Sequence, residues 1–252
     1  MTLLSPPHSG EAFLVRSGHC FFRYRDAILP GVLLTLLVLT RPKRPLESDV
    51  LDRVMDGLGL LLICAGQVLR IGTIGYAYIV RGGKDRRVYA EGLVTGGLFA
   101  TSRNPLYVGN LMIYSGLMVV WNNPWVYVLG GPFFVFLYRA IVAAEEDFLH
   151  GEFGPAFERY CHDVARWIPD PRRLQRAVAG MSFNWRRVVL KEYGTIAAWT
   201  LTVSALLIVQ ELEFASYAER SVEILVLLAV MVTIVSLWGL ARWLKLSRRL
   251  RA

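Results

Sequence analysis

Two adjacent carboxylates, Glu145 and Glu146, follow an apolar stretch that begins at Pro124. The macrodipole disfavours acids at a helix C-terminus, and two neighbouring carboxylates near hydrocarbon repel each other. Positive charge must therefore lie close to them unless they end a helix in open solvent. Arg139, on nearly the same helix face as Glu146, and Arg70 are two sources within the chain. A ligand that carries an ammonium or sulfonium group is a third source.

A second polar cluster, SRNPLYVGN, begins at Ser102. Pro105 is favoured at the first position of a helix, and Ser102 or Asn104 can cap that helix. The helix start then presents unpaired N–H groups and partial positive charge, to which Arg103 adds a full charge. The pattern predicts a site for a carboxylate or phosphate. An ordinary capped helix start with an arginine at the membrane boundary is the alternative.

The stretch GEFGPAFERYCHDVARWIP, residues 151–169, predicts an amphipathic segment with an aromatic stripe. Such a stripe serves packing, or here holds a lid over a cofactor on the membrane surface. Arg166 stands near its end and suits a substrate carboxylate or a phospholipid phosphate equally well.

Several standard chemistries are excluded by the sequence. It contains no dinucleotide-binding glycine motif, P-loop, GxSxG or HExxH. Asp147 and His150 have a spacing used by metal sites in helical bundles, but a second such pair is missing. We therefore expect no metal.

The composition predicts a membrane protein. Hydrophobic residues make up 54% of the 252 residues, above the roughly 45–50% of soluble domains. We predict an all-α, polytopic integral membrane protein with about six transmembrane helices. The first apolar run is only 14 residues long, short of the roughly 20 that a span needs. The six apolar stretches are 27–40, 54–80, 106–121, 124–144, 188–210 and 222–244.

Charge placement predicts the orientation. The net charge is +8, and the basic residues lie between the apolar stretches, as suits lipid headgroups better than nucleic acid. The 81–105 loop, the segment after Glu146 and the C-terminal tail are basic and are placed in the cytoplasm. A cofactor pocket then faces the cytoplasm from the inner membrane. The basic loop around Arg41, Lys43 and Arg44 conflicts with this orientation, because it would lie on the outer side of the membrane.

The run LVTGGLFATSRNPLYVG, an Asn-Pro helix turn, and EExxLxxxFGxxFxxYxxxVxRWIP together resemble the isoprenylcysteine carboxyl methyltransferase and phospholipid methyltransferase group of integral membrane enzymes. The resemblance covers about Gly57 to Pro169. It implies S-adenosylmethionine as methyl donor, bound at the cytoplasmic ends of the core helices. It also implies two cofactor motifs, the first formed by Arg103, Asn104, Pro105, Tyr107 and Gly109, and the second by Glu145 and Glu146.

The sequence departs from the family pattern at two places. Where the family usually has a histidine, this chain has Asn104, which puts an acid–base role for that position in doubt. Where the family usually has a tyrosine, this chain has Phe157. We expect methyl transfer to a lipophilic acceptor: the carboxylate of a molecule such as a prenylcysteine, or the amine or hydroxyl of a lipid. The expected catalytic residues are Glu146, Arg166 and Asn104, and the expected substrate contacts are Arg70, Arg139 and Arg166.

Two other functions are considered. An NADPH-dependent, sterol-type membrane reductase shares a similar segment, but the acidic pair would repel the cofactor's phosphates. A non-catalytic membrane scaffold would bind neither cofactor.

The last two helices extend beyond the family pattern, and substrate shielding and homodimer packing are both open for them. The predicted segments are an interfacial one (1–26), two N-terminal helices (27–80), the methyltransferase core (81–170) and the C-terminal linker and helices (171–252).

Overall fold

The computed structural model describes residues 9–77, 88–214 and 217–247, and the side chains from residue 10 to 214 and from 221 to 247 within them. The described part of the chain is mainly helical and contains no strand, so the predicted all-α class is confirmed. The basic loop 81–87, the segment 1–8 and tail residues from Arg248 onward lie outside the described residues. The helices are α1 (Ser9–Leu39), α2 (Asp49–Tyr76), α3 (Pro105–Trp121), α4 (Gly131–Phe153), α5 (Pro155–Asp163), α6 (Leu174–Val178), α7 (Trp185–Phe214) and α8 (Tyr217–Leu246).

Four of the described helical stretches are long and apolar enough to cross a membrane. The fifth apolar helix, α3, is shorter, at 17 residues. The expectation of about six spans was therefore loose in number, while the polytopic membrane class holds. The four stretches are Asp49–Tyr76, Val126–Phe153, Trp185–Phe214 and Ser221–Leu246.

The first helix is much longer than the apolar run 27–40 that predicted it. It continues through the segment expected to lie at the interface, and Pro30 is accommodated within it. Close packing on α4 explains this extension. A Cβ on Gly18 would come within 2.0 Å of the Ala140 carbonyl oxygen, so the two backbones touch there. One turn later, Phe21 meets Phe136 edge-on at 5.9 Å.

The second and third helices pack through four glycines. Gly59 faces Gly116, and Gly66 faces Gly109, in antiparallel register. A Cβ on Gly116 would lie 2.5 Å from the Gly59 carbonyl oxygen, so no larger residue fits without a shift. Small residues allow such close approach inside a membrane, where packing rather than water drives helix association. Gly109 thus contacts α2, and its predicted role in the cofactor motif stays a prediction.

The hairpin of α3 and α4 turns where the sequence predicted. Asn122 adopts the left-handed conformation, with φ of 47°, and ends α3. Tyr114 stacks on Phe134 at 4.6 Å, and Tyr107 meets Tyr138 at 5.3 Å, which confirms antiparallel neighbours.

The basic loop after α1 lies beside this turn, at the end of the bundle away from Glu146. Asn123 donates to the Arg41 carbonyl at 2.8 Å, and Arg41 pairs with Glu213 at 3.0 Å. Arg44 pairs with Asp49 at 2.9 Å. Two of the three basic residues that conflicted with the predicted orientation therefore have acidic partners in the fold.

Candidate active site

A cavity of about 990 Å³ opens between α1, α3, α4 and α7. Five of the seven predicted cofactor residues line it: Arg103, Asn104, Tyr107, Glu145 and Glu146. The other two, Pro105 and Gly109, are buried in α3. Arg103 and Glu146, 43 positions apart in the chain (146 − 103), are thus brought to one site.

Glu146 is held between two arginines. Arg103 Nη1 lies 3.1 Å from Glu146 Oε1, and Arg166 donates to both carboxylate oxygens, with Nε at 3.2 Å from Oε1. The Glu146 and Arg103 side chains are each 13% exposed, so water screens this pair weakly, whereas Arg166 is half exposed. Cations do lie close to the acidic pair, as predicted. The arginines that pair with Glu146 are Arg103 and Arg166, however, and not the expected Arg139 and Arg70.

The expected cations, Arg139 and Arg70, are both used elsewhere. Arg139 lies two helical turns before Glu146, about 10 Å along the axis, beyond the reach of neighbours three or four apart. Its exposed side chain lines a separate apolar groove of about 760 Å³, together with Arg166. Arg70 is buried and forms a bidentate pair with Glu192 of α7.

Glu145 has different partners from its neighbour. The Tyr107 hydroxyl donates to Glu145 Oε1 at 2.6 Å, and Arg25 Nη1 donates to that hydroxyl at 3.4 Å. Arg25 comes from α1, and the sequence analysis did not connect it with the site. Its only signal in the sequence was a charge near the end of the predicted interfacial segment 1–26. The acidic pair therefore divides its contacts, with one carboxylate on an arginine pair and the other on a tyrosine.

Residues 165–170 form a strap that runs beside the start of α3. Arg103 N donates to the Ala165 carbonyl at 2.9 Å, the Ser102 hydroxyl donates to the Trp167 carbonyl at 3.0 Å, and the Asn104 amide donates to the Arg166 carbonyl at 3.1 Å. The predicted side-chain cap from Ser102 or Asn104 is therefore wrong. The amide of Asn104 holds the strap instead, and α3 begins at Pro105 without a capping side chain.

The segment before α3 is fixed further by α5. The Tyr160 hydroxyl donates to the Phe99 carbonyl at 2.8 Å, and burial raises the pKa of Tyr160, so this hydroxyl stays protonated as a donor. Arg103 Nη1 also reaches Cys161 Sγ at 2.6 Å. Buried Arg103 Nε has no hydrogen-bond partner among the described residues.

Comparison with known proteins addresses the segment that carries this site. Residues 55–156 match the phospholipid methyltransferase family. This segment of 102 residues (156 − 55 + 1), out of 252, is therefore similar to that family. The chain is also 28% identical over 123 residues to protein-S-isoprenylcysteine O-methyltransferase A of Arabidopsis thaliana, across 46% of this chain and 59% of that protein. No solved structure matches significantly.

The match to the phospholipid methyltransferase family covers both cofactor motifs and Arg70, from α2 to the start of α5. It omits Arg25, Arg166 and Glu192, which come from outside the matched segment. The chain spans about three-fifths of the Arabidopsis relative.

The contacts of Arg70 tie the matched segment to α7. Arg70 Nε donates to Glu192 Oε2 at 2.8 Å and Nη2 to Oε1 at 2.7 Å, while Nη1 donates to Asn110 Oδ1. Gln67 adds a hydrogen bond to Glu192 Oε2 at 3.0 Å. Sequence reasoning missed Glu192, although a carboxylate near the start of an apolar helix is a recognised signal.

Proposed function

We propose that this protein transfers a methyl group from S-adenosylmethionine to a lipophilic acceptor in the membrane. The observation that carries the proposal is the contact between Arg103 and Glu146 across one cavity, with Glu145 beside it, inside the family segment.

The residues present fit the donor. The donor has an anionic carboxylate and cationic ammonium and sulfonium groups, and the cavity offers both signs of charge. Arg103 suits the carboxylate because its buried Nε lacks a partner. Glu145 uses one oxygen for Tyr107, which leaves the other for the ammonium. A volume of about 990 Å³ lies at the upper end of ordinary ligand sites.

The donor supplies an electrophilic methyl group on its sulfonium. The chain contributes positioning and exclusion of water, which suffice for much of the acceleration of an in-line displacement. For an amine acceptor, Glu146 would take the proton that the amine loses. For a carboxylate acceptor, Arg166 would orient the anion, and no base is needed. Asn104 would act on either acceptor through the strap that it holds beside Arg166.

The substrate contacts remain predictions. Arg70 reaches the cavity by way of Asn110, whereas Arg139 and Arg166 border the apolar groove, which suits an anionic lipid headgroup. We also propose that the cavity faces the cytoplasm, because Arg172, Arg173 and Arg176 lie at the same end of the bundle. Homodimer packing through α7 and α8 stays a prediction.

Binding of the cofactor tests the proposal against the reductase. Purified protein in detergent is incubated with S-adenosylmethionine or with NADPH, and the unfolding temperature is measured. We expect a rise with the first only, because the acidic pair repels the phosphates of the second. A rise with NADPH alone would favour the reductase, and no rise with either would favour a scaffold.

Incubation with methyl-labelled donor and a total lipid extract of the native membrane then identifies the acceptor from the labelled product. Labelled lipid is expected. Donor binding without any labelled lipid would contradict a lipophilic acceptor.

A further inference from the structure

The hydroxyl of Tyr138 is a buried polar group without a partner. The side chain is 0% exposed and lines the cavity, and its oxygen forms no hydrogen bond of normal geometry with any described residue, although the Asn110 side chain lies close to it. Buried tyrosine hydroxyls nearly always find a partner, since an unpaired one loses its hydration without compensation. An unpaired hydroxyl that faces a cavity points to a ligand atom.

Tyr138 lies deeper in the cavity than the acidic pair. It lies on α4, two helical turns before Glu145, so it is about 10 Å farther from the charged end. The ring of Tyr107 lies between the two levels, 5.3 Å from the ring of Tyr138. The donor's charged groups match the Glu145 end, which leaves the deeper part for another ligand group. A lipophilic acceptor reaches that depth from the bilayer.

The neighbouring Asn110 is held in one orientation. Its Oδ1 accepts from Arg70 Nη1, its side chain lies close to the Tyr138 hydroxyl, and Asn110 also lines the cavity. Arg70 is itself fixed by the bidentate pair with Glu192 and by Thr195 at 3.3 Å. A chain of contacts therefore runs from α7 through Arg70 to Asn110, beside the Tyr138 hydroxyl.

We propose that the Tyr138 hydroxyl hydrogen-bonds a polar group of the methyl acceptor inside the cavity, and that Glu192, Arg70 and Asn110 position it. This inference rests on the proposed function. In the reaction a lone pair of the acceptor forms the new bond to the methyl carbon, and the carbon–sulfur bond breaks with its electron pair left on sulfur. An amine acceptor also releases one proton, whereas an ionised carboxylate releases none. Tyr138 donates its O–H to the polar group of the acceptor and keeps its proton throughout.

The test compares Tyr138→Phe with Tyr127→Phe. The Tyr127 hydroxyl donates to Asn122 at 3.1 Å, at the far end of the bundle, so this control loses a real hydrogen bond away from the cavity. Three quantities are measured: the unfolding temperature without ligand, donor affinity by calorimetry, and transfer of labelled methyl to total lipid extract in mixed micelles.

For Tyr138→Phe we expect an unchanged or higher unfolding temperature, donor affinity within twofold of wild type, and at least tenfold less efficient transfer. The loss should appear as an increase in the amount of lipid extract that is needed to reach the half-maximal transfer rate. Tyr127→Phe should lower the unfolding temperature and leave transfer unchanged. If Asn110 acts by way of Tyr138, the double variant Asn110→Ala/Tyr138→Phe should lose no more than the worse single variant.

Each contrary result has a distinct meaning. Transfer by Tyr138→Phe at the wild-type rate overturns the inference and leaves the proposed function intact. A matching fall in donor affinity assigns the hydroxyl to the donor and overturns the acceptor contact. A fall in unfolding temperature like that of the control reveals a structural partner for Tyr138. Additive losses overturn the role of Asn110, and a wild type that neither binds donor nor transfers methyl overturns the proposed function and this inference together.

Discussion

Replacement of Glu192 by glutamine tests whether α7 is built into the core of the protein. This helix lies outside residues 55–156, the segment that matches the family. Arg70 and Glu192 are 1% and 0% exposed, and two hydrogen bonds of 2.7 and 2.8 Å connect them. Removal of one partner leaves a buried charge without compensation, which costs about 3–5 kcal/mol. Glu192→Gln should therefore lower the free energy of unfolding by an amount in that range.

The matched control is Glu213→Gln. Glu213 also pairs with an arginine, Arg41, at 3.0 Å, but the two side chains are 36% and 82% exposed. A surface pair of this kind contributes about 0–1 kcal/mol. Both variants are unfolded with sodium dodecyl sulfate in mixed micelles and followed by circular dichroism. Equal effects from the two substitutions, both below about 1 kcal/mol, would refute the view that α7 is built into the core through this pair.

Two further predictions concern packing and the site. Gly116→Ala should destabilise the protein by about 1–3 kcal/mol in the same unfolding assay, because its Cβ would meet a carbonyl oxygen of α2 at 2.5 Å. Gly57→Ala, where nothing lies within 4 Å, should be neutral or stabilising, and a similar loss at both glycines would contradict the close helix approach. Arg25→Gln should weaken donor binding by about 0.5–1.5 kcal/mol in calorimetry, since it loosens Tyr107 beside Glu145. Arg16→Gln, exposed on the same helix, serves as the control, and equal affinities for both variants would remove Arg25 from the site.

Local features were predictable from the sequence because neighbours in the chain determine them. The start of α3 at Pro105 and the turn at Asn122 follow from proline and asparagine chemistry. The long first helix was not predictable in the same way. Its first half carries charges that are typical of an interface, and its helical form is stabilised by contact between Gly18 and α4, which only the fold reveals.

The site shows the same division between local and long-range information. The two cofactor motifs could be recognised as polar clusters at helix ends, and the structure brings most of their residues to one cavity. Which cations pair with Glu146 depends on the strap and on α3, so spacing along α4 pointed to Arg139 instead of Arg166. Arg25 and Glu192 come from helices far away in the chain, and no local pattern assigns such partners.

Calorimetric titration of S-adenosylmethionine into wild type, Glu146→Gln and Glu158→Gln tests the central claim most directly. Glu146 lies in the cavity between Arg103 and Arg166, whereas exposed Glu158 of α5 pairs with His150 of α4. The account predicts binding to wild type, the same affinity for Glu158→Gln, and a loss of about 10- to 150-fold for Glu146→Gln, as expected when a charged hydrogen-bonding group is removed. Unchanged affinity in Glu146→Gln would contradict it.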